Sequence, residues 1–253
     1  MSGPIKLSVV IITYNEERNI KRCLESVLSV ADEIVVVDSF STDKTVALAK
    51  SLGAKVVQHP FEGHIEQKNY AITQASFPHI LSIDADEIPD EIFIGQIQSV
   101  KQYWQADGYS VNRLNNYCGK WIRHGAWYPD VKLRLWDSRK GNWAGTNPHD
   151  RYEMEHESTK QHLSGDLLHF SYQTVAEHRK KAEYFATIAA NAYFNKGKRS
   201  SVLKMLFSPV FRFIRDYFFK LGFLDGYYGF VIARLIAFEV FLKYQKLLRL
   251  QKN

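Results

Sequence analysis

Two carboxylates one residue apart, Asp84 and Asp86 with Ala85 between them, directly follow the run Ile80, Leu81, Ser82, Ile83. On a strand end that is turning into a loop, such a pair can hold a hard divalent cation. Mg²⁺ or Mn²⁺ keeps open positions for phosphate oxygens and can neutralise a diphosphate. Chance alone yields roughly 0.7 Asp-x-Asp triplets among 13 Asp, so the triplet takes its weight from its surroundings. Those are two further polar strand ends, Thr13-Tyr14-Asn15 and Asp38-Ser39. The competing reading is an Asp84 that caps a turn and a solvated Asp86. Neither GxGxxG nor GxxxxGK[ST] occurs, so a bound phosphate would need side chains and a cation instead of a glycine-rich backbone cradle.

The elements that must position these residues alternate. Residues 7–13 (LSVVIIT) and 33–38 (EIVVVD) are continuous β-branched runs, as in strands buried on both faces of a parallel sheet. Between them Ile20, Cys23, Leu24, Val27 and Leu28 recur at helical spacing, with Asn15 as the expected N-cap. The pattern predicts helices over 41–52 and 65–75, strands over 55–58 and 79–83, and a helix over 90–104. In a doubly wound α/β sheet of this kind, ligands bind beyond the carboxyl ends of the strands, where all three polar ends fall. After residue 105 short aromatic and charged runs predict an antiparallel half, and from Thr174 the pattern is helical.

The net charge of +6 is unevenly distributed: residues 196–253 hold 12 Lys/Arg against 3 Asp/Glu, and 13 of the 35 aromatic residues. A surface both cationic and aromatic suits an anionic membrane. Ser208 before Pro209 predicts a helix start, ending at Gly222, with Val210, Phe211, Ile214, Tyr217, Phe218 and Leu221 as one stripe and Arg212 and Arg215 on another face. A second helix is expected over 227–250. The same stripe could instead pack on the preceding α/β domain or make a homodimer. Charges interrupt every apolar stretch, which predicts a helix pair lying on the membrane, not crossing it. Cys23 and Cys118 have neither metal-site spacing nor a partner framework, and the N-terminus lacks signal-peptide character; both predict a cytoplasmic protein.

Residues 7–16 (LSVVIITYNE), 33–43 (EIVVVDSFSTD), 67–71 (QKNYA) and 83–87 (IDADE) resemble the successive motifs of glycosyltransferase family 2, whose nucleotide-sugar half has the A-type, Rossmann-like fold. Trp143-Ala144-Gly145, Pro148-His149-Asp150, residues 168–171 (LHFS) and 222–226 (GFLDG) resemble the bacterial branch that adds glucose to the lipopolysaccharide inner core. The resemblance implies roles. Thr13, Tyr14, Asn15 and Glu16 would cup base and ribose, and Asp38 would accept the N3 hydrogen of uracil. Asp43 and Lys68 would line the same pocket. Asp84 would hold the ribose or a metal-bound water, with Ala85 beside it, and Asp86 would ligate Mn²⁺ or Mg²⁺.

Inverting sugar transfer needs a carboxylate to take the acceptor's proton. Asp150, which follows His149 where the branch usually carries His-Glu and so keeps the carboxylate one methylene shorter, is the first candidate and Asp130 the second; either could instead be a structural partner of Arg134 or Arg151. His169 is a further candidate ligand or a core histidine. Arg134 is a phosphate or acceptor contact, or else a solvated strand residue, and Trp121, Trp127 and Trp143 are sugar-stacking or core residues.

The sequence thus predicts a catalytic domain over 1–195, with a nucleotide-sugar half to about residue 105 and an acceptor half to 195, followed by a basic helical extension over 196–253. The expected reaction is transfer of a hexose, glucose first, from a UDP-sugar to a lipid-linked saccharide at the cytoplasmic face of the bacterial inner membrane. Another cell-envelope polysaccharide transferase, a sugar nucleotidyltransferase and a basic binding protein are the alternatives. A nucleotidyltransferase would need a Gly-rich turn where Tyr14-Asn15-Glu16-Glu17 stands, and the tail carries no nucleic-acid-binding motif.

Overall fold

The computed structural model describes residues 3–146 and 149–252. It divides into two compact units, Met1–Arg113 with Val131–His169 and Leu114–Asp130 with Phe170–Asn253.

In the first unit β1 (Leu7–Thr13), β2 (Glu33–Asp38), β3 (Lys55–Gln58) and β4 (His79–Asp84) are parallel, in the order β3-β2-β1-β4. The continuous apolar run of β1 follows from its burial on both faces. Leu7, Val9 and Ile11 join one core with Ile20, Cys23, Leu24 and Val27 of α1 (Ile20–Val27), whereas Val10 joins the other with Val35, Val37 and Ala71 of α3 (His64–Thr73). Each Val, Leu or Ile among them contributes about 1.5–3 kcal/mol on burial. α2 (Thr45–Ser51) follows β2, and β5 (Glu87–Pro89) and α4 (Glu91–Gln102) follow β4.

The sheet continues antiparallel. β8 (Val131–Asp137) pairs with β4, β6 (Gly108–Tyr117) with β8, and β11 (Lys160–Tyr172) with β5. β9 (Gly141–Thr146) and β10 (His149–Met154) form a separate hairpin. At Gly165 of β11, φ is +94° and a Cβ would lie 2.4 Å from the Phe93 nitrogen. Only glycine lets the strand pass this close to the start of α4, where Asp90 accepts from the amides of Phe93 and Asp166. The doubly wound α/β class with a mixed sheet and C-terminal helices is therefore as the alternation implies.

The second unit contains β7 (Lys120–Ile122), paired with the end of β6, then α5 (Val175–Asn195), α6 (Val202–Ile214) and α7 (Gly226–Leu250). A capping box of Thr174 and Glu177 starts α5. Tyr117 and Ile122 form a core with Val231, Ile232 and Ile236 of α7. Buried Asp225, just before α7, accepts from the amides of Arg123 and His124 at 3.2 and 2.8 Å. Among the described residues, no single helix is long and apolar enough to cross a membrane.

Three helix starts differ from the sequence expectation. Asn15 does not cap α1: it has φ 55°, and its Oδ1 accepts from the Thr42 amide at 2.8 Å. Asn tolerates the left-handed region, and its side chain ties two loops together in place of a helix end. α2 starts at Thr45, because Ser41 and Asp43 are engaged in the loop, Ser41 with Asp38 and Asp43 with Thr45. α6 is capped by Ser201, whose side chain accepts from Lys204 at 3.2 Å, so Pro209 lies inside the helix and Ser208 caps nothing. Pro209 has no amide hydrogen, so the helix runs through it with one backbone hydrogen bond fewer.

Candidate active site

Thr13 pairs with Asp38 and Ile12 with Asp84, so the parallel register brings the three polar strand ends side by side. Asp38 is fully buried; its carboxylate accepts from the Ser41 amide and Gln58 and also binds the Ser41 hydroxyl, fixing the turn after β2. Thr13 Oγ1 is buried with no hydrogen-bond partner among the described residues, and Tyr14 stands exposed. The amides of Asn15, Glu16 and Glu17 donate to Ser41, Thr45 and Asp43 across the crevice. Burial pushes the Glu16 carboxyl up, against a hydrogen bond from Asn19 and with the charges of Asp86 and Asp43 adding to the rise. At Asp43 burial has the same sign, but hydrogen bonds from Thr45 and the Glu17 amide outweigh it and hold the carboxyl below its usual range.

The chemistry concentrates at β4. Lys68, on α3, is buried, with Nζ 2.8 Å from Asp150 Oδ2 and 3.2 Å from Asp84 Oδ1. The Trp143 ring lies 4.4 Å from the same ammonium. Asn69, the next residue on α3, donates to the Trp143 carbonyl and accepts from its amide, both at 2.9 Å, and so fixes the hairpin against α3.

Arg134 of β8 is buried, 3.0 Å from Asp84 and 2.5 Å from Glu87. Glu87 is fully buried; it also accepts from the Asp84 amide and pairs with Arg113 at 3.4 Å. Burial would raise the Asp84 carboxyl, but Lys68, Arg134 and Arg113 hold it far below the usual range. Burial likewise opposes the charge on Arg134, and Glu87 and Asp84 more than restore it. Lys68 and Arg134 are therefore buried ion-pair partners, and the alternative reading of Arg134 as a solvated strand residue is corrected.

A cavity of about 490 Å³ opens here, lined among others by Lys68, Asp84, Arg113, Arg134, Trp143 and Asp150. Lys132 and Arg151 also line it, so five cations face two carboxylates and the cavity favours an anionic guest. Asp150 Oδ1 has no partner among the described residues, while Oδ2 is held by Lys68. Arg151 pairs with Glu153, so neither Arg134 nor Arg151 is the partner of Asp150. Pro148, in the motif before Asp150, lies outside the described residues.

Asp86 Oδ2 is 3.2 Å from His169 Nε2. A carboxylate and an imidazole at this separation fit Mn²⁺ or Mg²⁺, which binds through one or two protein groups and completes its shell with phosphate oxygens and water. Asp84 is engaged by Lys68 and Arg134. Among the described residues no group of three or more His, Cys, Asp or Glu is arranged to hold a metal alone.

Asp130, Trp121 and Trp127 belong to the second unit, where Trp127 stacks on Tyr172 and Trp121 meets Phe170 edge-on. Sequence reasoning did not single out Glu87 or Arg113. Glu87 lies within the IDADE motif, and three acidic residues so closely spaced were a signal that one of them would need buried cations.

A family model described as glycosyl transferase family 2 matches residues 8–170. An uncharacterized glycosyltransferase of Rickettsia bellii is 33% identical, covering 98% of this chain and 88% of that protein. The lipopolysaccharide core biosynthesis glycosyltransferase LpsC of Rhizobium meliloti is 30% identical, covering 96% of this chain and 95% of that protein. Among solved structures, glucosyl-3-phosphoglycerate synthase of Mycobacterium tuberculosis, in complex with Mn²⁺, uridine diphosphate and glucosyl-3-phosphoglycerate, covers 44% of each chain at 26% identity, with a TM-score of 0.38.

Proposed function

The chain belongs to glycosyltransferase family 2, and from that premise we propose that it is a metal-dependent inverting transferase moving a hexose, glucose first, from a UDP-sugar to a lipid-linked saccharide such as the lipopolysaccharide inner core. The observation that carries this reading is the convergence of Lys68, Asp84, Arg134 and Asp150 on one cation-rich cavity at the carboxyl end of the parallel strands. The relation to LpsC supports the acceptor class. The reaction would take place at the cytoplasmic face of the inner membrane, reached through the C-terminal helices.

The crevice of Thr13, Tyr14, Asn15, Glu16, Asp38 and Asp43 takes the nucleoside, and Thr13 Oγ1 offers it a buried polar atom with no partner among the described residues. Asp86 with His169 would hold the divalent cation, which supplies positive charge to the departing diphosphate. Lys68 and Arg134 add fixed cations beside it, at no reorganisation cost when charge develops. Lys68 anchors Asp150 by one carboxylate oxygen and leaves Oδ1 to take the acceptor hydroxyl proton as the acceptor oxygen bonds to the anomeric carbon and the sugar–diphosphate bond breaks.

A hydrolysis screen over UDP-, GDP- and dTDP-sugars with Mn²⁺ tests the donor: UDP-glucose turnover is expected, and preference for another nucleotide or silence across the panel overturns it. Titration of Asp86→Ala with UDP and Mn²⁺ tests the cation site, since binding equal to wild type would remove Asp86 from it.

A further inference from the structure

The second unit presents a helix whose sides are reversed relative to a water-facing one. No residue of α6 is buried. Leu203, Phe207, Val210, Phe211 and Ile214 are exposed at spacings of three and four, and the face continues through Phe218 and Leu221. Phe211 is 69% exposed and Phe219 79%. The charged groups turn the other way: Asp216, 1% exposed, accepts from Arg212 and Arg215. That pairing fixes the roll of the helix, because turning the apolar face inward would strip Asp216 of both partners.

We propose that this outward face of α6, with the π-helical turn at residues 215–219, inserts in the plane of an anionic lipid surface and is the element that docks the protein there. Charge selects the occupant. Residues 196–224 carry seven Lys/Arg and one Asp, and that Asp is neutralised internally. Lys198, Arg199 and Lys204 at one end of the face and Lys220 at the other are exposed. Phosphate headgroups complement such a rim, whereas a second copy would set like charges against each other.

α7 does not serve this purpose, because Val231, Ile232, Ala233 and Ile236 are already buried in the second unit. Among the described residues α6 exposes seven large apolar side chains and α7 two, Tyr227 and Phe230, so the α6 face is the one to immerse, to the depth of an interfacial helix. The inference uses no residue of the first unit and holds whatever the donor.

Flotation of the full-length protein with vesicles tests it. The protein is expected to rise with phosphatidylglycerol–phosphatidylcholine vesicles, weakly with phosphatidylcholine alone, and less as salt is raised. Phe207→Asp with Phe211→Asp should lower the partition coefficient at least tenfold, with an unchanged thermal melt because both side chains are exposed. Lys198→Glu, Arg199→Glu and Lys204→Glu together should lower it on anionic vesicles only, by about fivefold per cation removed.

The proposal is overturned if wild type does not float with anionic vesicles, or if both sets of variants float as wild type does. It is also overturned if wild type sediments as a dimer that Phe211→Asp makes monomeric, which would assign the face to a second copy. Because flotation reads lipid and not transfer, its failure would leave the proposed reaction standing.

Discussion

Both units hold a carboxylate between two cations, yet the two clusters differ in what remains unsatisfied. In the second unit Arg212 and Arg215 take one oxygen each of Asp216, and the pair locks a helix. In the first, Lys68 and Arg134 flank Asp84, and Lys68 also holds one oxygen of Asp150 while the other faces an anion-favouring cavity. A buried ion cluster with every group paired is structural. One that opens on a cavity with a spare acceptor can move a proton.

The sharpest way to break this contrast is at the spare acceptor. Asp150→Asn should cost a factor of 10²–10⁴ in transfer rate, about 3–5 kcal/mol on the barrier, with nucleotide binding retained; full activity would move the base elsewhere, with Asp130 next to test. Asp216→Ala removes the buried acceptor of two partly exposed arginines and should destabilise the protein by about 1.5–3 kcal/mol in urea melts, without a specific effect on turnover by the folded fraction.

His178 gives the next effect. Burial lowers its pKa to about 4, with Lys181 adding, and its ring contacts the Tyr117 hydroxyl at 3.1 Å. A histidine protonated more readily when unfolded contributes stability that is present above about pH 6.5 and is lost as pH falls toward 4. Acid melts should show up to about 3 kcal/mol of this loss, and His178→Gln should flatten that part of the curve. The smallest change is expected at Arg151→Gln, which breaks an exposed pair with Glu153 and should shift stability by less than about 0.5 kcal/mol.

Much of the first unit was legible because its signals are local. The β-branched runs and the 3,4-spaced apolar residues located β1 to β4 and their helices to within a few residues. Errors came where a polar side chain had two uses: Asn15 and Ser41 bind across the crevice instead of starting helices. Ser208-Pro209 has the form of a helix start, but Ser201 provided an earlier cap, so the pair lies inside α6.

The sequence by itself determined the alternating elements, the polar ends of the strands, the acidic pair at the end of β4 and the existence of an apolar stripe on α6. These follow from periods of two and 3.6 residues and from short-range turn chemistry. Only the tertiary structure decided that Lys68 meets Asp150, 82 positions away, that Glu87 is the buried partner of Arg134, and that the stripe of α6 faces outward. Periodicity shows that a face is apolar or a residue is charged, but the partner that offsets its desolvation is brought by chain distant in sequence.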